Sequence, residues 1–206
     1  TPGMILSDTR APTTNAPRAP PAGTGVGAAM GGAAAGAAVG AFAGPVGAIV
    51  GATVFDGAGR RFDDGVVVIT DGRVSAVGDA STPVPAGYTV VDARGRFVTP
   101  GVIDVHSHLG VYPSPGVQGM SDGNEATSPN TAQVWAEHSI WPQDPGFNTA
   151  RAGGVTTLGI LPGSANLFGG RGVTVRNVPS LTMQGMKFPG APYTLKMACG
   201  ENPSRV

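Results

Sequence analysis

The chain has 206 residues, including 34 glycines and 19 prolines, and carries 13 basic against 13 acidic side chains. A net charge of zero with dispersed charges argues against nucleic-acid binding, which needs a basic patch. The one cysteine, Cys199, cannot form an intrachain disulfide and has no Cys or His at zinc-finger spacing around it, so redox compartment and location, cytoplasmic or exported, stay open.

Residues 1–22 hold Pro2, Pro12, Pro17, Pro20 and Pro21 among Thr, Ala, Ser and Asn. Too little apolar surface is available there to offset the entropy of ordering, and the segment is expected to be a disordered leader. Residues 23–47 are an Ala/Gly-rich, low-complexity stretch without a charge, in which Gly32, Gly36, Gly40 and Gly44 recur every four positions. On a helix that spacing makes a glycine-lined stripe, the small-xxx-small device of membrane helices, and residues 25–44 would rise roughly 30 Å. Membrane association through residues 25–44 is therefore one expectation. Opposing it, each glycine costs about 1 kcal/mol of helix propensity relative to Ala, and Pro45 disfavours helix at Gly44. A flexible linker and a signal peptide cleaved near Ala41-Phe42-Ala43 are the competing readings.

Order is expected from residue 48. Residues 48–55, 66–70, 74–77, 88–91 and 96–98 are short β-rich runs divided by turn chemistry, with Asp71-Gly72 a two-residue hairpin signal and Arg94-Gly95 a second turn. They read as a small antiparallel β-domain over residues 48–98.

The next stretch, Pro100-Gly-Val-Ile-Asp-Val-His-Ser-His108, is an apolar run ending in two histidines one residue apart. Side chains two apart on a strand share a face, so His106 and His108 can aim their imidazoles at one divalent metal. Val102, Ile103 and Val105 have the β-branched character expected of a strand buried on both faces of a parallel sheet. A long polar connection follows, of the kind that forms a lid or substrate wall. Residues 131–141 are helix-compatible up to Pro142 and carry His138, a candidate substrate contact beside Trp135 and Trp141 whose competing role is structural. A short helix over residues 147–152 should close at Gly153-Gly154. A second barrel strand over residues 155–161 follows, then a backbone-rich loop at residues 169–172. Near the end, residues 194–199 form a short apolar strand interrupted by Lys196, whose amine is costly there unless paired or modified. The alternative for that amine is to snorkel to the strand end.

The His-x-His strand with its Pro-Gly lead, Gly153-Gly-Val-Thr-Thr157 and Leu195-Lys-Met-Ala-Cys-Gly-Glu-Asn-Pro203 together resemble the metal-dependent amidohydrolase superfamily, most of all its imidazolonepropionase-related branch. The resemblance runs over residues 48–206. It implies an α/β fold: residues 99–206 as the first part of a (β/α)8 TIM-like barrel, preceded by a small β-sandwich-like domain. It implies hydrolysis of a C–N bond in a small amide, cyclic amide or peptide-like substrate, with one or two divalent ions, zinc foremost, as cofactor. His106 and His108 match metal ligands of that family, and Lys196 matches a lysine that is carboxylated and bridges two metals; Lys187 is a weaker competitor, and Glu201 is a further carboxylate. The family's later histidines and catalytic aspartate have no counterpart here. The catalytic set is thus incomplete, and the chain is expected to be an N-terminal fragment of a longer enzyme, inactive by itself. The alternative is a membrane-associated glycine-zipper protein carrying a non-catalytic amidohydrolase relic. Oligomeric state is left open.

Overall fold

The structure, a computed structural model, describes residues 4–8, 46–120 and 123–206. The expectations for residues 25–44, a membrane helix or a linker, lie outside the described residues, as does most of the 1–22 leader. Among the described residues no helix is long and apolar enough to cross a membrane. The chain divides into two compact units, Thr1–Val102 with Arg151–Thr156, and Ile103–Ala150 with Thr157–Val206.

The first unit is built on a six-stranded sheet of β1 (Met4–Asp8), β2 (Val46–Phe55), β3 (Arg61–Thr70), β4 (Arg73–Gly78), β5 (Thr89–Asp92) and β6 (Arg96–Pro100), in the order β1-β6-β2-β3-β4 with β5 also pairing with β2. Strand β1 lies inside the stretch expected to be disordered and pairs antiparallel with β6. β3 and β4 join through Asp71 and Gly72, whose φ angles of 51° and 69° are those of a tight hairpin turn matching the right-handed twist of the strands. The sheet is mixed where an antiparallel one was expected. β2 and β3 are antiparallel, but β5 and β6 each run parallel to β2. The reason is the connection over residues 79–88, which carries the chain from β4 at one edge to the far side of β2 and so brings it back in the same direction. The core is Ile49, Ala52, Val54, Val67, Ile69, Ala93 and Val98, with Phe62, Val74, Val77 and Val91 packed against it. A second sheet, which a sandwich would need, is not found among the described residues of this unit.

The second sheet runs β10-β9-β8-β7, from β7 (Val102–Ser107), β8 (Val155–Ile160), β9 (Phe168–Arg176) and β10 (Thr194–Met197). Bonds from Val102 N–H to Gly154 O and from Leu161 N–H to Ser107 O advance together along both chains, so β7 and β8 are parallel. Helix α1 (Pro145–Ala152) makes the crossover between them, one residue pair longer at its start than expected. β9 is antiparallel to both β8 and β10. Residues 169–172 therefore lie in a strand and not in a loop. No helix intervenes between β8 and β9, and without a crossover the next strand can only return antiparallel. The expected helix over residues 131–141 shrinks to one 3-10 turn, Ala136–His138. The backbone around it is taken up by isolated bridges to β9, Asn130 with Phe168 and Trp135 with Arg171. A second helical turn, α2 (Met183–Met186), is capped by the Thr182 hydroxyl, which accepts from Gly185 N–H. The fold is α/β, with strands predominating.

One expectation about β7 is corrected. Its apolar residues are not buried: Val102, Ile103 and Val105 are 49%, 53% and 78% exposed. β7 is last in the sheet order, and among the described residues only about half of Val102 and Ile103 and less than a quarter of Val105 is covered.

Candidate functional site

At the end of β7 the Asp104 carboxylate accepts the His106 N–H at 3.0 Å, tying down the backbone just before the histidine pair. The two imidazoles meet edge to face, centroids 5.2 Å apart at 78°. His108 lies one residue beyond the strand, and its Nδ1 is 2.8 Å from Leu161 O in the segment leaving β8. A carbonyl can only accept, so Nδ1 carries a proton, and in the neutral ring the lone pair is left on Nε2. A backbone carbonyl in this role fixes tautomer and ring orientation together.

Lys196, 7% exposed on β10, brings its Nζ to 2.9 Å from His106 Nε2. Burial holds its amine pKa below the ordinary lysine value, because the charged form loses solvation. Three of the residues singled out in the sequence, His106, His108 and Lys196, thus stand together. The others do not. His138 is exposed on its 3-10 turn, and no hydrogen bond links it to His106, His108 or Lys196 among the described residues. Lys187 is engaged elsewhere: its amine donates to Glu137 Oε2 at 2.7 Å and to the Tyr193 hydroxyl, and those two bonds raise its pKa. Burial pushes the Glu137 carboxyl up, but the bonds from Lys187 and Tyr193 outweigh it and leave the group below its ordinary value. Glu201 is exposed and paired with Arg205.

The sequence did not single out Asp144. This residue is 1% exposed, and its carboxylate accepts from Gly110 N–H at 2.8 Å, Ser114 N–H at 3.1 Å and Gly146 N–H at 2.8 Å. It caps α1 and at the same time clamps the turn that leaves His108. The local signal was present, since an Asp directly before Pro-Gly is a helix-start pattern; its grip on a turn 30 residues away was not local. Tyr112, on that turn, lays its ring edge-on to His108 at 5.5 Å.

Among the described residues, no group of three or more His, Cys, Asp or Glu side chains is arranged to hold a metal ion. His106 and His108 fit part of such a set: two imidazoles in contact, one with Nε2 freed by its carbonyl bond.

No family model matches the chain. Its structure aligns with the crystal structure of an amidohydrolase from Thermotoga maritima MSB8 at a TM-score of 0.70 and 40% sequence identity, covering 77% of this chain and 40% of that one. Over 153 residues it is 37% identical to the amidohydrolase tasK of Hapsidospora irregularis, 69% of this chain and 16% of that protein. The chain belongs to the amidohydrolase superfamily. Within that superfamily it is also similar to the imidazolonepropionase of Sphingopyxis alaskensis, 47% identical over 47 residues that make up 23% of this chain and 12% of that protein. This amidohydrolase chain spans less than half the length of each of these relatives.

Proposed function

We propose that this chain carries the first metal-ligating residues of a hydrolase that cleaves C–N bonds other than peptide bonds in a small amide, cyclic amide or peptide-like substrate. The observation that carries the reading is the convergence of Lys196 on His106, 90 residues apart in sequence and 2.9 Å apart in space, within a chain of the amidohydrolase superfamily. Residues 99–206 would form the opening part of a (β/α)8 barrel, after a small β-domain over residues 48–98. The exposed Ile103 and Val105, together with the greater length of the relatives, support further strands packing against β7.

In this reading His106 and His108 would hold a divalent ion through imidazole nitrogens, a good donor set for zinc, though imidazole also suits other transition metals. When bound, that ion supplies a Lewis acid and lowers the pKa of a coordinated water. The chain's own part is preorganisation. Leu161 O keeps the His108 proton on Nδ1, and Asp104 and Asp144 hold the backbone on either side of the pair. Burial shifts Lys196 toward its neutral amine; that amine would add to carbon dioxide, the nitrogen gaining a carboxylate and releasing one proton, and Lys196 would then offer carboxylate oxygens to a metal ion. No observation favours the membrane glycine-zipper alternative.

Replacing His106 and His108 together by Ala in the complete polypeptide tests the reading by metal analysis. Loss of bound metal is expected, and unchanged stoichiometry overturns the assignment. The 206-residue chain by itself is expected to show no metal-dependent hydrolysis, because a base to take the proton of the water is not among the residues assigned here.

A further inference from the structure

Besides the His106 ring, the His108 imidazole is touched by the Leu161 carbonyl at Nδ1 and by the ring of Tyr112. They sit on different segments, one leaving β8 and one leaving β7. A single side chain bridges those segments. Asn124 donates its Nδ2–H to the Tyr112 hydroxyl at 2.6 Å, and its Oδ1 accepts from Ala165 N–H at 3.0 Å. Gly163 N–H adds a backbone bond to Gly123 O at 2.8 Å. Asn124 is exposed and Tyr112 is 36% exposed, but the two glycines lie close against them. A Cβ at Gly163 would collide with Asn124 Oδ1 and the Tyr112 hydroxyl, and one at Gly123 would collide with the Tyr112 ring, so both positions are restricted to glycine by the contact itself.

From this arrangement we infer that Asn124 is a positioning residue for His108, and that it works by cross-linking the two loops that set the orientation of the imidazole. Asn124 reaches no metal-ligating atom itself. Its effect passes along Tyr112 to the ring edge and along residues 161–165 to the carbonyl at Nδ1. One residue of the long connection after β7 thereby controls a ligand's geometry. The inference rests on the reading of His108 as a metal ligand. Partners that orient a ligating histidine typically alter metal affinity by about 10–100-fold when removed.

The test is cobalt(II) binding by the complete polypeptide, read as affinity and as the visible absorption of the bound ion, which reports ligand geometry without any assay of turnover. Asn124→Ala is expected to weaken cobalt binding about 10-fold or more and to shift the absorption bands while melting close to the parent temperature. Asn124→Asp should restore most of the affinity, because it keeps an acceptor for Ala165 N–H and can accept from the Tyr112 hydroxyl. Tyr112→Phe, which keeps the ring and loses the hydroxyl, should move affinity in the same direction as Asn124→Ala and adds little to it when the two are combined. Parental affinity and spectrum in both Asn124→Ala and Tyr112→Phe would overturn the inference while leaving the metal reading intact. A parent that binds no cobalt overturns the metal reading, and this inference with it.

Discussion

β3 and β7 are written in nearly the same apolar alphabet and end in opposite environments. Val66, Val67, Val68 and Ile69 of β3 are between 0% and 4% exposed, whereas Val102, Ile103 and Val105 of β7 are half exposed or more. The difference is one of position in the sheet. β3 has β2 and β4 as neighbours and the core cluster against it; among the described residues β7 has a partner on one edge alone. β-branched residues specify an extended chain, but hydrophobic stabilisation comes only from area actually removed from water. What distinguishes β7 is its polar end, where His106 meets both His108 and Lys196.

The largest expected effect on this contrast comes from β3. Ile69→Ala should cost about 2–5 kcal/mol, the range for deleting a large aliphatic side chain from a packed core. Urea denaturation of the chain measures it. A cost below about 1 kcal/mol would mean that β3 is far less tightly held than its burial implies.

Asp144→Ala comes next and probes the polar support at the end of β7. It strips the acceptor from the N–H groups of Gly110, Ser114 and Gly146, in one buried and two part-buried hydrogen bonds. With about 1–3 kcal/mol for each buried donor left unsatisfied, and partial relief by entering water, a loss of roughly 2–3 kcal/mol is expected. Hydrogen exchange at Gly110 and Ser114 should accelerate in step. Unchanged protection there would show that the turn after His108 is held by something other than Asp144.

The smallest effect is expected at Val105. In this chain Val105→Ala should change stability by no more than about 0.5 kcal/mol, as for exposed positions generally. The same substitution in a longer polypeptide sharpens the comparison: if further strands cover β7 there, the cost should rise to about 1–2 kcal/mol. Equal, negligible costs in both would leave β7 a true edge strand and remove the support it lends to a barrel.

Local features of the fold were legible in the sequence. The strand runs of the first unit, the Asp71-Gly72 turn and the α1 helix before Gly153-Gly154 each follow from two to eight neighbouring residues, and each is found. Errors arose where pairing partners overrode local preference. Residues 131–141 have a helix-compatible pattern, yet bridges to β9 hold Asn130 and Trp135 in place. Residues 169–172 are glycine-rich enough to suggest a loop, yet pair as a strand with β10 on one side. The mixed direction of the first sheet depended on where the connection after β4 crossed, which no residue in that connection announces.

The histidine pair belongs in part to what the sequence alone determined: a spacing of two puts both rings on one side where the backbone is extended, but His108 lies one residue past β7 and is also oriented by the Leu161 carbonyl. The meeting of Lys196 with His106 belongs to the tertiary structure. Resemblance suggested a role for that lysine, but β10 and β7 are the two end strands of their sheet, and only the folded chain shows that side chains 90 positions apart reach across it to 2.9 Å. The same holds for the Leu161 carbonyl that sets the His108 tautomer and for Asp144 and Asn124, whose partners lie far along the chain. Side-chain direction is a property of neighbouring backbone dihedrals, whereas the groups that orient a ligand are recruited through loop closure and strand pairing, which depend on the whole sheet.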